Sequence, residues 1–139
     1  MSIRSFKVDL EYGNEKEIVM LDKLTKYFNT SIKSCKELYP NDKFCKWDYE
    51  DKTGTKWELK SRRNTYSRYP TTIIPCHKKA TDDKDLYFVF QFTDGDYYIK
   101  YDANKFNHFD IRTIKINRIG KWDPPTDHWE IPIEMLIKL

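Results

Sequence analysis

Residues 45–60 read C-K-W-D-Y-E-D-K-T-G-T-K-W-E-L-K. Two short strands joined by a tight turn account for every position in it. Trp47 and Tyr49 alternate with Asp48 and Glu50; Trp57 and Leu59 alternate with Glu58 and Lys60. Side chains on a strand point to opposite faces with period two, so Asp48 shares a face with Glu50, and Glu58 with Lys60. Asp51 to Thr55, with Gly54 inside, is turn material. A hairpin symmetric about Thr53 sets Asp48 opposite Glu58 and Glu50 opposite Lys56. Directly opposed carboxylates repel, and a divalent cation with a nearby lysine offsets the repulsion. Removing one charge, as in Glu58→Gln, should then relieve strain in the metal-free protein.

Outward from this hairpin, helix and strand patterns alternate. Ile3 to Glu11 is either a short strand or an extended arm. Asn14 reads as an N-cap, with Glu15 and Glu17 in a first turn whose dipole favours anions. From Glu15 to Asn29, Ile18, Leu21, Leu24 and Phe28 recur at three- and four-residue steps, which predicts an amphipathic helix. Ser31 to Leu38 is a second helical turn or a loop. After the hairpin, Asn64 to Pro70 is a polar, aromatic loop and Thr71 to Ile74 a short extended stretch ended by Pro75. Leu86 to Thr93 (L-Y-F-V-F-Q-F-T) is apolar enough to be a central strand. Asp94-Gly95-Asp96 turns it back into Tyr97 to Asp102. Ala103 to Asp110 connects to a strand at Ile111 to Ile116. Asn117 to Trp129 reads as a loop, and Ile131-Pro132-Ile133 introduces a helical tail to Leu139.

A chain of 139 residues is the size of one domain, here 1–139, and buries roughly 70% of its unfolded surface. Aromatic residues make up 16%, too many for a disordered chain, so they line a core or a binding face. The three cysteines, Cys35, Cys45 and Cys76, lack paired spacing, and neither a signal peptide nor a membrane-length apolar run occurs, which points to reduced thiols inside a cell. The net charge of +3 is unevenly spread. Lys52 to Lys79 holds eight basic residues and one acidic residue, a net +7 that leaves −4 elsewhere. A focused basic segment attracts a polyanion. With only 4 glycines there is no Gly-rich phosphate loop, so no nucleotide cofactor is expected.

A divalent-metal site needs hard oxygen ligands converging from adjacent backbone segments. Asp48 and Glu58 supply two carboxylates and the Leu59 carbonyl a third oxygen, while Lys60 brings a positive charge able to orient a water and stabilise a developing phosphorane. Asp48, Glu58 and Lys60 are thus the candidate catalytic residues for phosphodiester cleavage with Mg²⁺ or Mn²⁺. Arg62, Arg63 and Arg68, with Tyr66 and Tyr69 between them, and Lys78 further on, suit a nucleic-acid groove through phosphate contacts and base stacking. Asp51 points away from Asp48 and Glu50 opposes Lys56, so both are weaker metal candidates; His77 reads as a surface histidine.

Asp48 followed by Glu58-Leu59-Lys60 resembles the signature of the restriction-endonuclease-like superfamily, written PD-(D/E)-x-K, over roughly residues 12 to 102. Trp47 stands where that family often has proline. The resemblance implies a DNA nuclease of the small Holliday-junction-resolvase-like type found in archaea, phages and large DNA viruses. It implies metal binding by Asp48 and Glu58, a catalytic Lys60, and a further helix carboxylate to which Glu17 corresponds best. The expected fold is α/β, a central mixed sheet of about five strands flanked by helices, restriction-endonuclease-like. DNA is the expected partner, a homodimer is left open, and no membrane is involved. Two alternatives are a nucleic-acid-binding module without catalysis and a degenerate nuclease used as an interaction protein.

Overall fold

The computed structural model describes residues 17–42, 45–115 and 124–139. The expectations for Ile3 to Glu11, Asn14, Glu15 and Ile116 lie outside the described residues. The chain divides into two compact units, Met1–Lys56 and Trp57–Leu139.

In the first unit a helix, α1, spans residues 17–28. Its buried stripe runs through Met20 and Leu24, with Leu21 and Phe28 at the flanks, whereas Ile18 and Val19 stand 68% and 69% exposed. The phase expected from Ile18 is therefore displaced, and the four-residue step from Met20 to Leu24 sets the packed face. The chain leaves α1 through Asn29, whose φ of 51° is the left-handed conformation that ends helices. Strand β1 (Ile32–Ser34) and the four-residue helix α2 (Cys35–Leu38) follow. The Ser34 hydroxyl caps α2 by accepting from the Glu37 amide at 3.2 Å. Strand β2 (Tyr49–Asp51) pairs antiparallel with β1, Lys33 opposite Glu50.

The turn after β2 has the expected centre. The Asp51 amide donates to the Thr55 carbonyl at 3.0 Å, and Lys56 sits 3.7 Å from Glu50 as its ion partner. Both pairs are symmetric about Thr53. Gly54 supplies a φ of 89°, which a residue with a side chain adopts only under strain. The Asp51 carboxylate is the hub. Its Oδ1 accepts from the Thr53 amide (2.9 Å), the Thr53 hydroxyl (2.7 Å) and the Thr55 amide (3.1 Å), and its Oδ2 from the Thr30 hydroxyl (3.1 Å). So the candidate carboxylate judged weaker is spent on the turn and on anchoring the end of α1.

The second unit begins inside strand β3 (Lys56–Ser61). Strand β4 (Thr71–Pro75) leads into a 3₁₀ turn at Cys76–Lys78. Strands β5 (Leu86–Phe92) and β6 (Gly95–Lys100) form a hairpin whose last pair, Phe92 with Gly95, leaves a two-residue Thr93-Asp94 turn. The short helix α3 (Ala103–Phe106) is capped by the Asp102 carboxylate. Strands β7 (Asp110–Ile114) and β8 (Thr126–Pro132), a 3₁₀ turn at Ile133–Met135 and strand β9 (Ile137–Lys138) complete the unit.

Within this unit one sheet has the order β3-β5-β6-β9 and the other β4-β8-β7. The apolar strand β5 is interior, as its run of large side chains demands. The Arg62 amide donates to the Gln91 carbonyl and the Thr93 amide to the Asn64 carbonyl. Both residue numbers rise together, so β3 and β5 run parallel, while β5 with β6, β6 with β9 and every pair of the second sheet are antiparallel. The second sheet buries Thr72, Ile74, Trp129 and Ile131. Phe106, fully buried, meets Trp129 edge-on at 5.0 Å and Phe88 of β5 at 5.9 Å, which welds that sheet to the first.

Across the described chain the strands form a mixed sheet of six and an antiparallel sheet of three, and α1 is the one helix of seven residues or more. This overturns the α/β, restriction-endonuclease-like expectation of helices flanking the sheet: the protein is mainly β. The physical reason lies in the last third. His128, Trp129, Glu130 and Ile131 alternate in burial with period two, so residues assigned to a loop and a helical tail form β8 and β9 instead. Ile111, counted as an apolar strand member, is 53% exposed on the edge strand β7.

Burial pushes the Asp51 carboxyl up, but the hydrogen bonds from Thr53, Thr30 and Thr55 outweigh it and hold the group below its ordinary value. A depressed carboxyl contributes stability above its unfolded value of about 3.9, lost as pH falls through the folded value. Asp51→Ala should therefore cost about 1–3 kcal/mol at neutral pH. In urea melts the gap to wild type should narrow below about pH 4; a gap independent of pH would show that the carboxylate charge is not the stabilising element.

Candidate functional site

The alternation of β3 sends Trp57 and Leu59 to one face and Glu58 and Lys60 to the other. Trp57 stacks on Tyr87 of β5 at 5.7 Å, and this packing fixes the strand's orientation. Glu58 is only 6% exposed. Its Oε1 lies 3.5 Å from the Lys60 ammonium and 3.4 Å from the Lys78 ammonium. Lys78 comes from the 3₁₀ turn after β4, where Pro75 stops the strand and turns the chain. Two cations of low exposure thus converge on one buried carboxylate oxygen. Burying an isolated carboxylate costs several kcal/mol, and paired cations offset that cost. The sequence marks Lys78 as a nucleic-acid contact; its pairing with Glu58, twenty positions away along the chain, leaves no trace in local pattern.

Asp48 belongs to the first unit. It is half-buried at the entry to β2, and its carbonyl accepts from the Cys35 amide at 2.9 Å. Together with Glu17, Asp42, Cys35, Cys45 and Tyr49 it lines a cavity of about 140 Å³. Glu17, exposed at the start of α1, offers its carbonyl to the Tyr49 hydroxyl at 3.1 Å. Burial raises the Tyr49 phenol well above its usual range, and the charges of Glu17 and Asp48 add to the shift. The same field acts on Cys35, whose thiol is pushed up to about 12 by burial first and then by Cys45, Glu50 and Asp48. So the structure brings two of the expected carboxylates, Glu17 and Asp48, to one cavity of the first unit. It places Glu58, Leu59 and Lys60 in the second.

The basic-aromatic loop divides into framework and surface. Arg62 donates its Nε to the Thr72 hydroxyl (3.1 Å) and an Nη to the Ile73 carbonyl (2.6 Å), with its guanidinium over the Phe90 ring. Tyr66 stacks on Tyr97 at 4.1 Å and donates its hydroxyl to the Ile133 carbonyl. Its amide donates to Asp94. Tyr66 therefore holds the loop down. Arg63 and Arg68 are exposed, Arg68 lying over the ring of Tyr69, itself 53% exposed. His77 is exposed. Among the described residues no cluster of three or more His, Cys, Asp or Glu forms a metal cage, and no helix is long and apolar enough to cross a membrane. No family model, curated protein or solved structure matches the chain.

The second lysine reverses the expectation that Glu58→Gln relieves strain. Removing the carboxylate charge leaves Lys60 and Lys78 facing each other across a neutral amide. Glu58→Gln should lower stability by about 1.5–3 kcal/mol, the range for hydrogen-bonded charges. Adding Lys78→Met to it should recover part of the loss in a double-mutant cycle. An unchanged thermal midpoint in Glu58→Gln would mean that the two ammonium groups do not hold the carboxylate.

Proposed function

We propose that this chain is a metal-dependent phosphodiesterase acting on DNA, with Glu58 and Lys60 at its reactive centre. The observation that carries the reading is the Glu58 carboxylate, 6% exposed and faced by two lysines at 3.4 and 3.5 Å. An ordinary surface Glu–Lys pair is worth little and needs no burial. A buried carboxylate with two cations is an arrangement that active sites favour.

The donor set suits Mg²⁺ or Mn²⁺. Mg²⁺ is commonly bound through one or two carboxylates and keeps several waters. Glu58 and the Leu59 carbonyl would hold it, both from β3. When bound, the ion supplies Lewis-acid polarisation of a phosphoryl oxygen. Lys60 orients the attacking water and faces the charge that grows on the phosphate. Lys78 balances Glu58 when Lys60 turns to the substrate, a role the two near-equal distances permit. The exposed Arg63 and Arg68 engage backbone phosphates.

The second reading is a nucleic-acid-binding module in which the Glu58–Lys60–Lys78 group is a structural ion cluster. It is favoured by the exposed Arg63, Arg68 and Tyr69, a basic-aromatic surface that needs no catalytic centre. Incubation with duplex, branched and single-stranded DNA, with Mn²⁺ or with chelator, separates the two. The proposal expects Mn²⁺-dependent cleavage that Lys60→Ala reduces by about 100-fold or more, with DNA binding retained. Binding without cleavage of any substrate in Mn²⁺ would select the second reading.

A further inference from the structure

Arg62 has no carboxylate within ion-pair distance among the described residues; its contacts are a hydroxyl, a carbonyl and an aromatic ring. Its guanidinium cannot shed its charge to suit its surroundings, and burial pulls its proton affinity down from the ordinary value. This cation lines a cavity of about 370 Å³, together with Asn64, Tyr69, Thr71, Ile73 and Arg112. That volume lies in the range of small-ligand pockets. Arg112 reaches it from β7. Glu130 takes its Nε at 2.5 Å, so this pair is close to neutral and Arg62 remains the uncompensated charge. Asn64 and Thr71 add neutral hydrogen-bonding groups. Tyr69 contributes an aromatic ring that is 53% exposed and carries the Arg68 guanidinium at 5.4 Å from its centroid.

An unmatched guanidinium calls for an anion, and arginine is the side chain that matches a phosphate with two parallel N–H donors. An exposed ring beside it calls for a flat, apolar partner. A nucleotide has both. A base inside a duplex is already stacked on its neighbours, so a ring at the rim of a cavity selects a base that is unpaired. We propose that the cavity between Arg62, Tyr69 and Arg112 binds one unpaired nucleotide of a DNA strand, its phosphate at the arginines and its base on Tyr69. This inference takes its choice of ligand from the DNA-directed reading above, and it adds that the substrate carries single-stranded character next to the duplex.

The test uses the full chain with chelator present, so that cleavage plays no part. Fluorescence anisotropy compares a labelled oligothymidylate with a blunt duplex. Tyr69→Ala should weaken strand binding about 5- to 100-fold, the span measured for one base–aromatic stack, and leave duplex binding within error. Tyr69→Phe, which keeps the ring, should restore strand binding. Arg112→Gln should weaken strand binding and reduce its salt dependence by about one ion. Thermal midpoints matching wild type exclude a folding defect. Unchanged strand binding in Tyr69→Ala overturns the proposal, as does an equal loss on duplex and strand, which would mark a general basic surface. A failed nuclease reading looks different: no Mn²⁺-dependent cleavage, with the Tyr69-dependent preference for strand intact.

Discussion

A carboxylate withdrawn from water must be met by compensating charge, or the fold that withdraws it does not persist. Glu58 imposes that constraint on the second unit. Its place on β3 is fixed by Trp57, which stacks on Tyr87 from the opposite face. Its two cations come from different segments, Lys60 from its own strand and Lys78 from the turn after β4. Lys78 can reach it because Pro75 ends β4 and the 3₁₀ turn at Cys76–Lys78 redirects the chain. β4 in turn is held by β8 along its length, and β8 by the contact of Trp129 with Phe106. The charge arrangement at Glu58 thus depends on the second sheet.

The hairpin turn was legible from the sequence because its information is local. Alternation, a glycine and a symmetric centre at Thr53 predict the pairing of Glu50 with Lys56, and the ion pair is there. The same holds for β5, whose apolar run admits few readings but a buried strand. The fold class was not legible, for a physical reason. Ile131-Pro132-Ile133 has the look of a break before a helix, yet Pro132 closes an antiparallel strand whose other residues pair with β4 and β7. On the β4 side that strand's identity is decided by partners 53 to 61 residues away, which no window on the sequence contains. The helix phase failed more narrowly: Ile18 and Leu24 fit one stripe on paper, but Met20 fills it and Ile18 is left exposed.

The candidate residues separate in the same way. Glu58 and Lys60 could be picked out because strand period places them on one face. The pairing of Lys78 with Glu58 could not, since it is a tertiary accident of where β4 stops. Tyr66 shows the opposite failure: composition marks it as a surface contact, and the fold consumes its hydrogen bonds. Tyr69 and Arg112 gain interest only when β7 brings Arg112 to the cavity beside the loop. Basic and aromatic residues are ambiguous in sequence because the same chemistry that grips a phosphate also grips a carbonyl.

The central claim is that Glu58 is a metal-binding carboxylate rather than half of a structural ion cluster. Anomalous diffraction from crystals of the wild-type protein grown with Mn²⁺ tests it directly. The account predicts a manganese peak within coordination distance of a Glu58 carboxylate oxygen, lost in Glu58→Gln. Well-ordered Glu58, Lys60 and Lys78 side chains in their paired arrangement, with no manganese beside Glu58, would contradict it.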